Sequence, residues 1–182
     1  MNVFINRVIR AMRLEANLYE EVEADREAMK QAVAVVILAS VAGGIGAEGM
    51  GGLRGMVFGS LTALAGWVVW AFLIFFVGTK ILPAPETRSN PGELMRTLGF
   101  AYSPALLNVF GIIPFLGWLV RLAVNFWLLF AWVVAVRQAL DYKSTGRAVA
   151  VCVIGWLISV VFMGLIYILV KGMPHLPKPP VM

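Results

Sequence analysis

The chain has 182 residues, 60% of them apolar and only 14% charged, with a mean hydropathy of +0.85. Whole segments are apolar on every side, which excludes a soluble globular domain and points to one polytopic membrane domain. The net charge of +5 does not indicate nucleic-acid binding, because the basic residues flank apolar spans instead of covering one face of a soluble module.

Residues 1–30 are a polar preface. On a helical wheel Phe4, Ile5, Val8, Ile9 and Met12 share one side and Arg7, Arg10 and Arg13 the other, an amphipathic interfacial helix suited to an anionic cytoplasmic leaflet. An acidic run follows: Glu15, Glu20, Glu21, Glu23, Asp25 and Glu27, six of the ten carboxylates. Arg26 and Lys30 interleave with them at helical spacing, so local pairing makes this a solvated helical linker. The competing reading is a docking surface for a cytoplasmic protein partner.

Five spans follow. Residues 31–47 form the first, and no cleaved leader is expected there, since a stretch rich in carboxylates precedes it. The second covers residues 56–82, long enough to require tilt. The third runs over 98–115, the fourth over 118–136 and the fifth over 148–170. Residues 173–182 are a proline-rich tail, expected to be extended and mobile. The expected fold is thus all-α: a membrane bundle of five transmembrane helices over residues 31–172, with the amphipathic segment 1–30 before it.

Charge sets the orientation. With the N-terminus cytoplasmic, that side holds Arg7, Arg10, Arg13, Arg26, Lys30, Lys80, Arg88, Arg96, Arg137, Lys143 and Arg147, leaving Arg54, Arg121, Lys171 and Lys178 outside. Eleven against four is a clear positive-inside bias. The C-terminus is then outside the cell membrane.

The third and fourth spans fold back at Ile113-Pro114-Phe115-Leu116-Gly117. Asn108 lies nine residues before Gly117 and Asn125 eight after it. At about 1.5 Å per residue the two amides reach nearly one depth, and they are expected to bond each other or a third helix. The bland role is interhelical glue; the sharper one is a polar path. Pro104 should kink the third helix near Phe100, with Tyr102 and Ser103 beside the freed backbone. Arg121 lies in the first turn of the fourth span, where it either snorkels to headgroups or pairs with Glu48.

Small residues recur every four positions: Ala39, Gly43 and Ala47 in the first span, Gly51, Gly55, Gly59 and Ala63 in the second. Such stripes let backbones approach in lipid, so the first two helices are expected to cross along them, with Gly59→Leu more disturbing than a change at Val68. Gly44, Gly46 and Gly49 spell GxGxxG, but they end a membrane helix and lack the strand that a dinucleotide site requires. Cys152 is a packing residue inside the last span, and a lone cysteine forms no intramolecular disulfide. His175 is the only histidine, and no Asp, Glu or His lies inside a span. No catalytic triad, zinc motif or proton relay can be assembled, so neither an enzyme nor a cofactor is expected.

The stretch Leu98-Gly99-Phe100-Ala101-Tyr102-Ser103-Pro104, with five spans and a cytoplasmic N-terminus, resembles the Yip family of Ypt/Rab-interacting membrane proteins, in particular its short bacterial and archaeal members. The lead-in from Leu14 to Ala32 resembles the prelude to that domain. The resemblance implies the architecture and a scaffold or membrane-organising role. Eukaryotic members act in vesicle traffic and bind prenylated Rab-type GTPases, with an Asp-Leu-Tyr-Gly-Pro motif in their cytoplasmic segment. Here Leu18-Tyr19 is followed by Glu20-Glu21, so GTPase binding is not carried over. Two functions stand side by side: a non-enzymatic organiser of lipid or protein partners that forms homo-oligomers, and a small transporter or channel lined by Asn108 and Asn125.

Overall fold

The computed structural model describes residues 2–46 and 52–172, and the described residues are helical with short connections. Asn2 opens α1 (Val3–Met12) by accepting the Phe4 N–H at 3.1 Å, which satisfies one of the free amides of a helix start. Leu14, at φ 59, turns the chain back into α2 (Ala16–Ala24). Then come α3 (Ala28–Gly46) and α4 (Gly52–Phe76), which runs on into a π-helical turn at Val77–Ile81. Next are α5 (Pro91–Ala101), a 3-10 helix at Ser103–Ile112, α6 (Gly117–Ala139) and α7 (Thr145–Gly172). Among the described residues, four stretches are long and apolar enough to cross a bilayer: Ala28–Gly46, Arg54–Ile81, Gly117–Ala139 and Thr145–Leu169.

The third expected span is not one helix. Asn90 and Glu93 cap α5 reciprocally and Pro91 occupies its first turn, so it starts before the apolar run does. It ends where Pro104 has no N–H to give to the Phe100 carbonyl. Tyr102 N–H instead reaches Gly99 O at 3.2 Å and Ala105 N–H reaches Tyr102 O at 2.9 Å, which tightens the chain into the 3-10 form. The expected kink near Phe100 is therefore a change of helix type just beyond it.

α5 is the central post. Leu94, Thr97, Leu98, Phe100 and Ala101 are fully buried, against α2, α3, α4 and α6. A side chain at Gly99 would put Cβ 2.6 Å from Ala32 Cβ and 3.3 Å from Trp67, so only glycine lets α3 and α4 close on this post. Trp67, 2% exposed, adds a hydrogen bond from its indole N–H to Met95 O at 3.1 Å. Beyond Gly99 the 3-10 helix continues along α3: Ala105 shares a small cluster with Ala39, Val124 and Leu128, and Gly46 lies against the backbones of Asn108 and Gly111.

The small-residue stripes are used differently from the expectation. α3 meets α4 through a Ser40–Ser60 hydroxyl pair at 2.7 Å and a Gly44–Met56 contact, while a Cβ on Gly43 or Gly59 would meet nothing within 4 Å. Ala39 faces the 3-10 helix and α6, and Ala63 packs on the main core. The close backbone approach is made to the 3-10 helix, a partner that four-residue spacing alone does not name. Ala47 and Gly51 lie outside the described residues. The ranking at Gly59 and Val68 therefore reverses, since Val68 packs on the core. Gly59→Leu should leave the melting of the detergent-solubilised chain within about 0.5 kcal/mol of wild type, whereas Val68→Ala should cost about 1 kcal/mol or more.

Candidate functional site

Two polar regions sit at opposite ends of the bundle. The distal end, where α3 ends and α6 begins, holds the residues that the sequence singled out. Pro104 and Ser103 are buried, and the Ser103 hydroxyl has no partner. Tyr102 is half-buried and stands edge-on to Trp132, ring centroids 5.7 Å apart. Asn108 and Asn125 do not meet: the Asn125 amide donates to Arg121 O of its own helix at 2.9 Å and is exposed. The depth argument assumed α-helical rise, but Asn108 lies on a 3-10 helix, which climbs about 2.0 Å per residue and turns by thirds. Glycines close the space around Asn108. A Cβ on Gly46 would fall 1.8 Å from Asn108 O, and one on Gly117 would fall 2.2 Å from Gly111 O. Arg121 brings Nη1 within 3.5 Å of the O atom of Gly46, the last described residue of α3. Glu48, its expected partner, lies outside the described residues.

The proximal end, where α3 and α5 begin, is built from groups that the sequence treated as solvated or merely topological. Three residues of the acidic run, Glu15, Glu21 and Asp25, are turned inward onto α1. Arg7, nearly buried, gives Nε to Glu21 and Nη2 to Asp25, each at 2.8 Å, and Nη1 to Gln31 at 3.1 Å. Arg10 pairs with Glu15 and Glu21. Lys30 does pair locally, with Glu27 at 2.9 Å. Arg7 and Arg10 of the basic face expected to lie on headgroups thus carry an internal ion-pair network, while Arg13 is exposed, as are Val3 and Ile5 of α1. A loop reversal at Leu14 is what brings the two charge runs together, and wheel reasoning on each run separately does not see it.

Besides the Arg7–Gln31 bond, that hairpin is fastened to the bundle at three further points. Arg96 of α5, 7% exposed, donates Nε to Val22 O at 2.9 Å and Nη2 to Glu23 O, filling the open carbonyl end of α2. Gln138 of α6 donates to Glu20 at 2.8 Å, and the Trp127 indole donates to Met12 O at 2.9 Å. Arg96 was readable in retrospect: it is the one charge between Leu94 and Ala101, a stretch otherwise apolar apart from Thr97. Beside this clamp, Tyr142 holds the π turn. Its hydroxyl lies 2.9 Å from Gly78 O and 2.7 Å from Leu82 O, sharing one proton between carbonyls that the widened turn leaves free. Arg147 donates to Pro83 O at 2.7 Å and Lys143 pairs with Glu86, so the α4–α5 and α6–α7 connections are tied together.

The clamp titrates in two directions. Hydrogen bonds from Arg10 to Glu21 and from Arg7 to Asp25 hold both carboxyls below their ordinary range. Their stabilisation is present above that range and is lost as pH falls through the lowered values. Glu23 behaves oppositely. Burial first, then the charges of Glu93 and Asp141, push its carboxyl from 4.5 up to about 7. Between those values the folded chain keeps a proton that the unfolded chain has released, so stability declines as pH rises from 4.5 to about 7. Melting curves in detergent should show that decline in wild type and lose it in Glu23→Gln.

Apolar helices of membrane-spanning length, with most of their large side chains facing outward, define a multi-pass helical membrane protein. The Yip1 domain family matches residues 17–167, nearly the whole chain, and the chain belongs to that family. Neither the curated proteins nor the solved structures yield a match.

Proposed function

We propose that this chain is a five-span membrane organiser of the Yip type, without catalytic activity, lying in the cell (inner) membrane with its N-terminus in the cytoplasm and its C-terminus outside. The fifth crossing in this reading is made by α5 and the 3-10 helix as one broken rod. Eleven α-helical and ten 3-10 residues span about 36 Å at their respective rises, more than the hydrocarbon core of about 30 Å. Contacts at Ala32–Gly99, Ala39–Ala105 and Gly46–Gly111 favour a rod that keeps pace with α3 along its length. The single observation that favours an organising role over transport is the close backbone approach at Gly46, Gly111 and Gly117, which packs the described residues tightly around Asn108. The expected partners are lipid and further copies of the chain, since no residue between 156 and 169 is buried and that half of α7 has a free apolar face. A soluble protein docking on residues 1–30 is the lesser reading, because Glu15, Glu20, Glu21, Asp25 and Glu27 already have partners within the chain.

Purified chain in liposomes should pass ions and small solutes no faster than empty liposomes do. Flux that Asn108→Leu abolishes would replace this reading with the transport one.

A further inference from the structure

We infer that the cleft between α4, α6 and α7 is a binding site for one anionic phospholipid, with an acyl chain in the cleft and the headgroup phosphate at Arg137. The inference rests on the membrane reading above. The cleft measures about 310 Å³ and is lined by Trp70, Trp132, Val133, Val149, Cys152 and Trp156, with almost no polar surface. It opens sideways, as the 60% exposure of Trp156 shows, so a bilayer lipid enters it without leaving the membrane plane.

Chemistry selects the occupant. The free face of a second copy's α7, residues 156–169, carries no carboxylate to meet a cation at the mouth of the cleft, whereas a phospholipid joins an apolar chain to an anionic phosphate.

Charge selects the headgroup. Arg137 follows Val133 by one helical turn, and Thr145 precedes Val149 by one turn, so the two residues cap the proximal end of the cleft. Arg137 donates to Thr145 Oγ1 and Tyr142 O at 3.2 Å and to Lys143 O at 3.4 Å, and no carboxylate among the described residues pairs with it. Lys143 lies in the same turn but is already paired with Glu86, which leaves Arg137 to meet the phosphate. Arg137 also lines a polar pocket with Glu20 and Asp141, but Glu20 accepts from Gln138 and Asp141 accepts from the Arg88 N–H. A guanidinium held in place, beside an apolar slot and at the membrane boundary, is complementary to a lipid phosphate.

The test uses the chain in phosphatidylcholine nanodiscs doped with brominated lipid, which quenches tryptophan at contact. Brominated phosphatidylglycerol should quench with about tenfold preference over brominated phosphatidylcholine at equal low mole fraction. Arg137→Gln should remove the preference, and Cys152→Phe, which fills the cleft, should remove the saturable component. Equal quenching by both lipids in wild type overturns the inference, and needs no variant to fold. Unchanged saturable quenching in Cys152→Phe overturns it as well. A chain that stays soluble without detergent or lipid would fail the membrane reading itself, a different result.

Discussion

Gly46→Ala and Gly99→Ala are expected to be among the most damaging single changes in the chain, although alanine is the better helix former by about 1 kcal/mol. At Gly46 the added methyl would lie 1.8 Å from Asn108 O and 2.9 Å from its carbonyl carbon, both backbone atoms that no rotamer change can move. At Gly99 it would lie 2.6 Å from Ala32 Cβ and 3.2 Å from Ala32 Cα, so α3 and α5 must separate. Overpacking of this kind costs about 1–3 kcal/mol in well-packed interiors, and contacts against backbone belong at the upper end. Gly59→Ala is the internal control, because nothing lies within 4 Å of the new methyl. Thermal melting in detergent should rank Gly46→Ala and Gly99→Ala far below wild type and Gly59→Ala level with it or above. Equal melting of all three would mean that the 3-10 helix does not lie against α3.

Arg96→Met should release the N-terminal hairpin while leaving the membrane helices assembled. The substitution keeps the apolar bulk but withdraws two charge-assisted donors from Val22 O and Glu23 O. Buried carbonyls stranded in this way cost about 1–3 kcal/mol each. The loss falls on α2, whose remaining ties to the bundle are the Gln138–Glu20 bond and the packing of Leu18, Tyr19 and Val22. Hydrogen exchange should rise sharply in residues 16–24 and little in α4 or α6. Arg96→Lys should rescue only in part, because one ammonium cannot reproduce the guanidinium fork. Uniform exchange across the whole chain would show that Arg96 serves the core in general and not the clamp.

Helix class, membrane residence and family were legible because each rests on a property summed over many residues. Runs of apolar side chains need no knowledge of partners, and Leu98 to Pro104 carries the family likeness. What escaped was decided by pairings between distant residues. The break after Ala101 follows from Pro104, yet whether the chain resumes as α or 3-10 depends on how closely Gly46 and Gly111 let α3 approach. That choice of rise displaced Asn108 from Asn125. The same gap hid the clamp: Arg7 meets Asp25 only after the reversal at Leu14, and Arg96 meets Val22 from 74 residues further along the chain. Gly59 and Gly99 look alike as small residues, and only the neighbour's backbone separates them.

The broken rod is the centre of the account, and side-specific cysteine labelling tests it directly. In a Cys152→Ser background, single cysteines are placed at Glu86, before α5, and at Phe115, the 97% exposed turn after the 3-10 helix. A membrane-impermeant maleimide should reach Glu86→Cys only from the cytoplasmic side and Phe115→Cys only from the opposite side. Labelling of both from one side would mean that α5 and the 3-10 helix enter the bilayer without crossing it, and the five-span reading would fall.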